Sequence, residues 1–287
     1  MTTYAVTGAT GGFGSAAVTA LISRGVTPAD IVAVVRNAEK AAALRAAGVQ
    51  VRVADYRHAS AFEQALAGVD RLLLVSGNEF GQRLSQHTNV VEAAQKAGVG
   101  LIAYTSILRA DNSPLALATE HIATEKVLAD SGIPVILLRN GWYSENYLRS
   151  APAAIEGGVL YGSARDGAVA PAARADYADA AAAALISGRG GEVFELVGSQ
   201  HLSYADIAAA FAEVSGKAVR YQDLPESDYA AALTRAGIPA AFAGVLADSD
   251  AGVAAGALDS DSSDLVDLLG RPATTFAEVI GAGLAGA

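Results

Sequence analysis

Three glycines spaced three residues apart, set between an apolar run and a helical pattern, leave this chain few folds to adopt. Tyr4–Thr7 reads as a strand, Gly8-Ala9-Thr10-Gly11-Gly12-Phe13-Gly14 as a loop, and Phe13–Ser23 as a helix. Each glycine answers a different need. Gly8 permits a tight turn off the strand, Gly11 lets the backbone approach a pyrophosphate, and Gly14 lets the helix pack closely on the sheet. The first-turn amides and the helix dipole then face the anion. The spacing predicts a dinucleotide-binding loop, against the alternative of a purely structural glycine turn.

The pattern that follows supports the same architecture. Apolar runs at Ile31–Val35, Val49–Val53, Leu72–Val75, Leu101–Thr105 and Val135–Leu138 read as strands. Helical patterns near Glu39–Ala47, Ala61–Leu66, Gln82–Ala97 and Leu117–Asp130 separate them. Gly25, Gly48, Gly68, Gly98 and Gly132 each follow a helical stretch, where a left-handed cap is wanted. Strands that are apolar without alternation are buried on both faces. Repeated βα units of this kind predict an α/β fold with a Rossmann-type, doubly wound parallel sheet.

After Arg139 the βα period is lost. A helix near Ala175–Ile186 and a strand at Val193–Val197 read as a return to the sheet, and Ser203 with Asp206 forms a capping box for a further helix. A strand is expected at Val219–Gln222, and the rest is mostly helical. The expected organisation is an NADP-binding domain over residues 1–139, joined by 174–198. A smaller, mostly helical C-terminal domain that binds substrate takes residues 140–173 and 199–287.

Composition narrows the function. A net charge of −10 without a basic stripe argues against nucleic acid. With no cysteine, thiolate catalysis, disulfides and Cys-based zinc sites are excluded. His58, His87, His121 and His201 are scattered with no His-x-x-x-His pair, so no metal site is expected. No signal-like segment precedes Thr3, and no apolar run approaches the roughly 18 residues of a membrane span. The expected location is the cytoplasm, as a monomer or homodimer.

The ends of the strands carry the candidate site. Arg36 closes the second strand, where an acidic residue would bind the 2′-hydroxyl of NAD. A guanidinium there pairs with a 2′-phosphate instead, so the expected cofactor is NADPH; the alternative is a solvent-exposed Arg. Asp55, after the third strand, is a candidate for the adenine amino group or a turn-forming residue. Ser76, Gly77 and Asn78 follow the fourth strand and Thr105 the fifth, at the level where ligands sit in such sheets. Asn140, Gly141, Trp142, Tyr143 and Ser144 follow the sixth strand, as a nicotinamide and substrate loop or as local packing of two aromatics.

Short-chain dehydrogenases supply Ser, Tyr and Lys, the last two four apart on one helix face. Ser106 suits the first, but Glu120-His121-Ile122-Ala123-Thr124-Glu125-Lys126 contains no tyrosine. His121 and Glu125 share a face. His121 is thus a candidate proton donor oriented by Glu125, or both are ordinary polar residues.

Taken together these residues resemble the NmrA-like branch of atypical short-chain dehydrogenases. Within it they are most similar to the NADPH-dependent quinone oxidoreductase type 2 group, itself akin to the triphenylmethane reductases. The resemblance rests on Gly8–Gly14, Val34–Asn37, Glu120–Lys126, Leu138–Tyr147, Arg174–Tyr177, Leu246–Asp250 and Leu269–Pro272. It implies NADPH use, quinone reduction, and a cofactor lined by Gly8–Phe13, Arg36, Ser76–Asn78 and Asn140–Glu145. Two readings compete: a flavin-free NADPH reductase of quinone-like acceptors, and a non-enzymatic redox sensor of the NmrA type. An epimerase of sugar nucleotides is disfavoured by the missing acid–base tyrosine. In the enzyme reading Tyr143 and Asn146 position the acceptor, and His121 is dispensable because a hydroquinone anion is easily protonated.

Overall fold

The computed structural model describes residues 1–286. In chain order the elements are β1 (Tyr4–Val6), α1 (Gly12–Ser23), β2 (Ile31–Val35), α2 (Ala42–Ala46), β3 (Gln50–Val53), α3 (Ala59–Ala65), β4 (Arg71–Leu74) and α4 (Arg83–Ala97). Then come β5 (Leu101–Ile107), α5 (Ala118–Asp130), β6 (Val135–Asn140), α6 (Ala151–Gly157), β7 (Val159–Gly162), β8 (Ala168–Val169), α7 (Arg174–Ser187) and β9 (Val193–Leu196). The chain finishes with β10 (Leu202–Ser203), α8 (Tyr204–Ser215), β11 (Arg220–Asp223), α9 (Glu226–Arg235), α10 (Ala240–Ala254), α11 (Asp264–Leu269) and α12 (Phe276–Ala285).

Two compact units emerge. The first comprises Met1–Ile107, Glu120–Asn140 and Arg174–Phe194; the second comprises Leu108–Thr119, Gly141–Ala173 and the chain from Glu195 onward. Residues 108–119, expected with the Rossmann part, group with the second unit.

The first unit is built on a seven-stranded sheet in the order β3-β2-β1-β4-β5-β6-β9. Pairing is parallel, with Tyr4 opposite both Ile31 and Arg71, and Ile102 opposite Val135. Its central strands are largely apolar because helices cover both faces: every residue of β2 is at most 1% exposed. Burying each such side chain is worth about 1.5–3 kcal/mol. Edge strand β3 differs, leaving Val53 55% exposed. The returning helix α7 packs on α1 and on the sheet, and its consecutive alanines from Ala180 to Ala184 are all buried. Gly25, Gly48, Gly68, Gly98 and Gly132 all have positive φ, as helix ends require. Strand order reverses between β1 and β4, which makes their carboxyl ends the expected place for a ligand.

The second unit is mostly helical, with two short sheets. β8 pairs antiparallel with β10, and β7 pairs parallel with β11. Rings of Tyr147, Tyr204, Phe211 and Phe276 form its aromatic core. Ser203 with Asp206 caps α8, and Thr275 with Glu278 caps α12 in the same way. The segment 140–173 is more regular than its composition suggests, since it contains α6, β7 and β8.

Candidate functional site

In the first unit the turn after β1 depends on two glycines. Gly8 adopts φ +59°, a left-handed conformation that costs other residues strain. A Cβ on Gly14 would lie 2.3 Å from the Gly8 carbonyl oxygen, closer than real Cβ atoms come. Gly11 is the N-cap of α1 and offers no side-chain cap, and no acidic residue occupies the first turn. Thr10, Gly11 and Gly12 are exposed while Ala9, Phe13 and Gly14 are buried. Amides and dipole at this helix end therefore face outward with no built-in carboxylate to satisfy them. Arg174, at the start of α7, passes beside Gly12: its Nη1 would be 3.3 Å from a Cβ there. The sequence reading did not single out this arginine as a site residue.

Around this loop the strand ends are tied together. The Tyr56 hydroxyl lies 2.6 Å from Thr7 Oγ1 and 2.7 Å from the Val75 carbonyl, bracing β1 against β4. Ser76 N donates to Thr105 Oγ1 at 2.8 Å, so these two candidates are brought together. Gly77 is held on both sides: its N–H donates to His87 Nε2 at 3.0 Å, and its carbonyl accepts from Arg83 Nε at 2.8 Å. That contact requires a neutral His87 imidazole, and burial, then the Arg83 charge, pull its pKa down to about 3. Asn78 is exposed in the same loop.

At the adenosine end Arg36 is exposed and its Nη1 lies 3.3 Å from Glu79 Oε1. Asp55 is engaged by Arg57, whose Nε, Nη2 and backbone N–H donate to its carboxylate at 3.0, 2.8 and 2.9 Å. Those bonds hold the Asp55 carboxyl well below its usual range, and they give it the turn-forming arrangement named above.

His121 and Glu125 share a helix face but serve different partners. His121 is 7% exposed, and its Nδ1 pairs with the Tyr104 hydroxyl at 2.8 Å. Burial holds its imidazole well below the ordinary value, with Arg83 and His87 adding to the effect. Glu125 instead accepts from Ser106 Oγ and, bidentately, from Arg139 at 3.1 and 2.8 Å. The Ser106 hydroxyl is thus committed to a buried ion pair between α5 and β6. Asn140, the last residue of β6, is buried.

In the second unit Tyr143 bridges to Ala172, and Ser144 N donates to the Ala172 carbonyl at 2.9 Å. This pairing turns the backbone so that Trp142, Tyr143 and Glu145 are half-buried and Asn146 is exposed. Ser144 Oγ is buried with no hydrogen-bond partner among the described residues. A buried hydroxyl left without a partner costs about 1–3 kcal/mol.

These features fit a dinucleotide: a glycine turn with no room for a Cβ at Gly14, an uncapped helix start and a basic strand end. Comparisons with known proteins agree. A model of the NmrA-like family matches residues 2–251. Quinone oxidoreductase 2 of Escherichia coli (strain K12) is 55% identical over 278 residues, 96% of this chain and 96% of its own length. The crystal structure of an NADPH-dependent quinone oxidoreductase from Escherichia coli, complexed with NADPH, has a TM-score of 0.94 at 53% identity. It covers 97% of this chain and 99% of that one. The triphenylmethane reductase of Citrobacter sp., complexed with NADP(H), has a TM-score of 0.93 at 35% identity, covering 98% of this chain and 100% of that one.

Proposed function

The chain belongs to the NmrA-like family, and from that membership we propose that it is a flavin-free reductase passing a hydride from NADPH to a quinone or similar conjugated acceptor. The observation that carries the proposal is the near full-length identity of 55% to a quinone oxidoreductase. The phosphate loop and Arg36 give it a physical basis.

In this reading the backbone of Gly8–Phe13 holds the pyrophosphate, and Arg36 pairs with the 2′-phosphate. Ser76, Gly77, Asn78, Thr105 and Asn140 are proposed cofactor contacts. Gly141, Trp142, Tyr143, Ser144 and Glu145 are proposed nicotinamide contacts, and Tyr143 and Asn146 are proposed to position the acceptor. NADPH, when bound, supplies the hydride. The acceptor gains that hydride and one proton and leaves as a hydroquinone. Its anion has a conjugate acid near the tyrosine range, about 10, so water protonates it without a strong donor. The chain's task is then positioning and exclusion of water. His121 accords with this: neutral and buried against Tyr104, it is poorly suited to act as an acid.

The competing reading was a sensor that binds the nucleotide without turnover. A fluorescence titration separates them. NADPH emission should change on binding and then decay to that of NADP⁺ when a naphthoquinone is added. Tight binding with emission unchanged by any quinone would make the protein a sensor.

A further inference from the structure

We propose that Glu79 is the resident occupant of Arg36, so that a 2′-phosphate binds by displacing a carboxylate, and that Glu79 thereby sets how strongly the site prefers 2′-phosphorylated nucleotides. The inference rests on the assignment of Arg36 to the 2′-phosphate made above.

Arg36 follows β2 and Glu79 lies in the loop after β4. In the sheet β1 runs between these two strands, so the ion pair spans the carboxyl end of the strand that feeds the glycine turn. A nucleotide laid along that turn meets this pair. Its geometry is that of a contact made to be exchanged. One guanidinium nitrogen lies 3.3 Å from one carboxylate oxygen, and the side chains are 62% and 42% exposed. The neighbouring arginine is different: Arg57 grips Asp55 with two guanidinium nitrogens at 3.0 and 2.8 Å. An incoming dianion therefore finds Arg36 the easier guanidinium to take. A phosphate monoester accepts bidentate, charge-assisted hydrogen bonds, which are stronger than a single exposed contact.

Displaced from Arg36, the carboxylate does not leave. Its other oxygen, Oε2, accepts from Gln86 Nε2 at 2.7 Å, and Gln86 is only 3% exposed on α4. The loop itself is pinned through Gly77 to His87 and Arg83, and through Gly81 N to Glu120 Oε1 at 3.1 Å. Glu79 thus acts twice against a 2′-phosphate. It competes for the guanidinium, and it remains as a like charge beside the bound anion. A nucleotide with a free 2′-hydroxyl meets neither effect. The glutamate moderates the preference for 2′-phosphate and keeps Arg36 occupied when no nucleotide is present.

The test is calorimetric titration of 2′,5′-ADP and of 5′-AMP into the wild type, Glu79→Gln, Arg36→Ala and the double variant. Glutamine keeps the volume and the acceptor for Gln86 but removes the charge. Exposed pairs contribute up to about 1 kcal/mol, so Glu79→Gln should tighten 2′,5′-ADP about two- to fivefold. It should leave 5′-AMP unchanged, and the gain should shrink at high ionic strength and fall to the smaller like-charge part in the Arg36→Ala background, where there is no guanidinium to compete for. Unchanged or weaker 2′,5′-ADP binding by Glu79→Gln, with Arg36→Ala still costing about tenfold, would overturn the role of Glu79 and leave Arg36 in place. An equal gain for 5′-AMP would overturn it too. If Arg36→Ala leaves 2′,5′-ADP binding intact, the assignment of Arg36 itself fails, and the inference with it.

Discussion

At His121, burial decides the protonation state before any chemistry begins. A residue 7% exposed, facing Tyr104 and near the Arg83 charge, stays neutral at physiological pH. A quinone needs no strong acid, so His121→Ala should change kcat/KM for benzoquinone by less than about tenfold. It should lower stability by about 1–3 kcal/mol, because the Tyr104 hydroxyl loses one of its buried partners. Steady-state kinetics and thermal melting measure the two. A loss above about a hundredfold in a still-folded variant would show His121 to be a proton donor. Residue spacing alone made His121 and Glu125 look like a working pair. It could not show that Arg139, arriving from β6, would take the carboxylate. The place of Arg36 at the end of β2 is legible from the apolar run before it. Glu79 is not, since it meets Arg36 only across the intervening β1.

At the scale of elements, α10 is fastened to β7 and α8 by one carboxyl group. Asp250 accepts from Ser163 N at 3.2 Å and from the Tyr204 hydroxyl. Burial pushes its pKa up to about 7. Between the unfolded value near 3.8 and that figure, the folded state keeps a proton that the unfolded state releases. Rising pH therefore favours unfolding through this window, and the loss is complete above about pH 7. Asp250→Asn should accordingly be more stable than wild type at pH 8, by on the order of 1 kcal/mol or more, with the difference shrinking toward pH 4. Denaturant melts at several pH values check this; a difference that grows on acidification would reverse the assignment. The elements that sequence revealed best are those whose signals are local: apolar runs for β1–β6, glycines after helices, the capping box of Ser203 and Asp206. β7 and β8 escaped it because their pairing is remote. Val159–Gly162 finds its partner at Arg220–Asp223, and two-residue β8 at Leu202–Ser203. Likewise nothing local tells that residues 108–119 belong with the second unit.

Taken as a whole, the molecule carries a net charge of −10, yet Arg36 and Arg57, each paired with a carboxylate, are exposed after β2 and β3. A local anion site needs only such groups and an uncapped helix start. The proposed quinone reduction by NADPH uses neither a flavin nor a dedicated proton donor. General acid catalysis contributes about 10²–10⁴-fold where it is needed, as it is for an aliphatic ketone, whose alkoxide is strongly basic. The decisive measurement is the steady-state rate of NADPH oxidation by the purified protein with benzoquinone and with a matched cyclic ketone. The expected result is a protein without flavin absorption that oxidises NADPH with the quinone at least about a hundredfold faster than with the ketone. Comparable rates on the two acceptors, no quinone-dependent oxidation, or a stoichiometric yellow chromophore would contradict it.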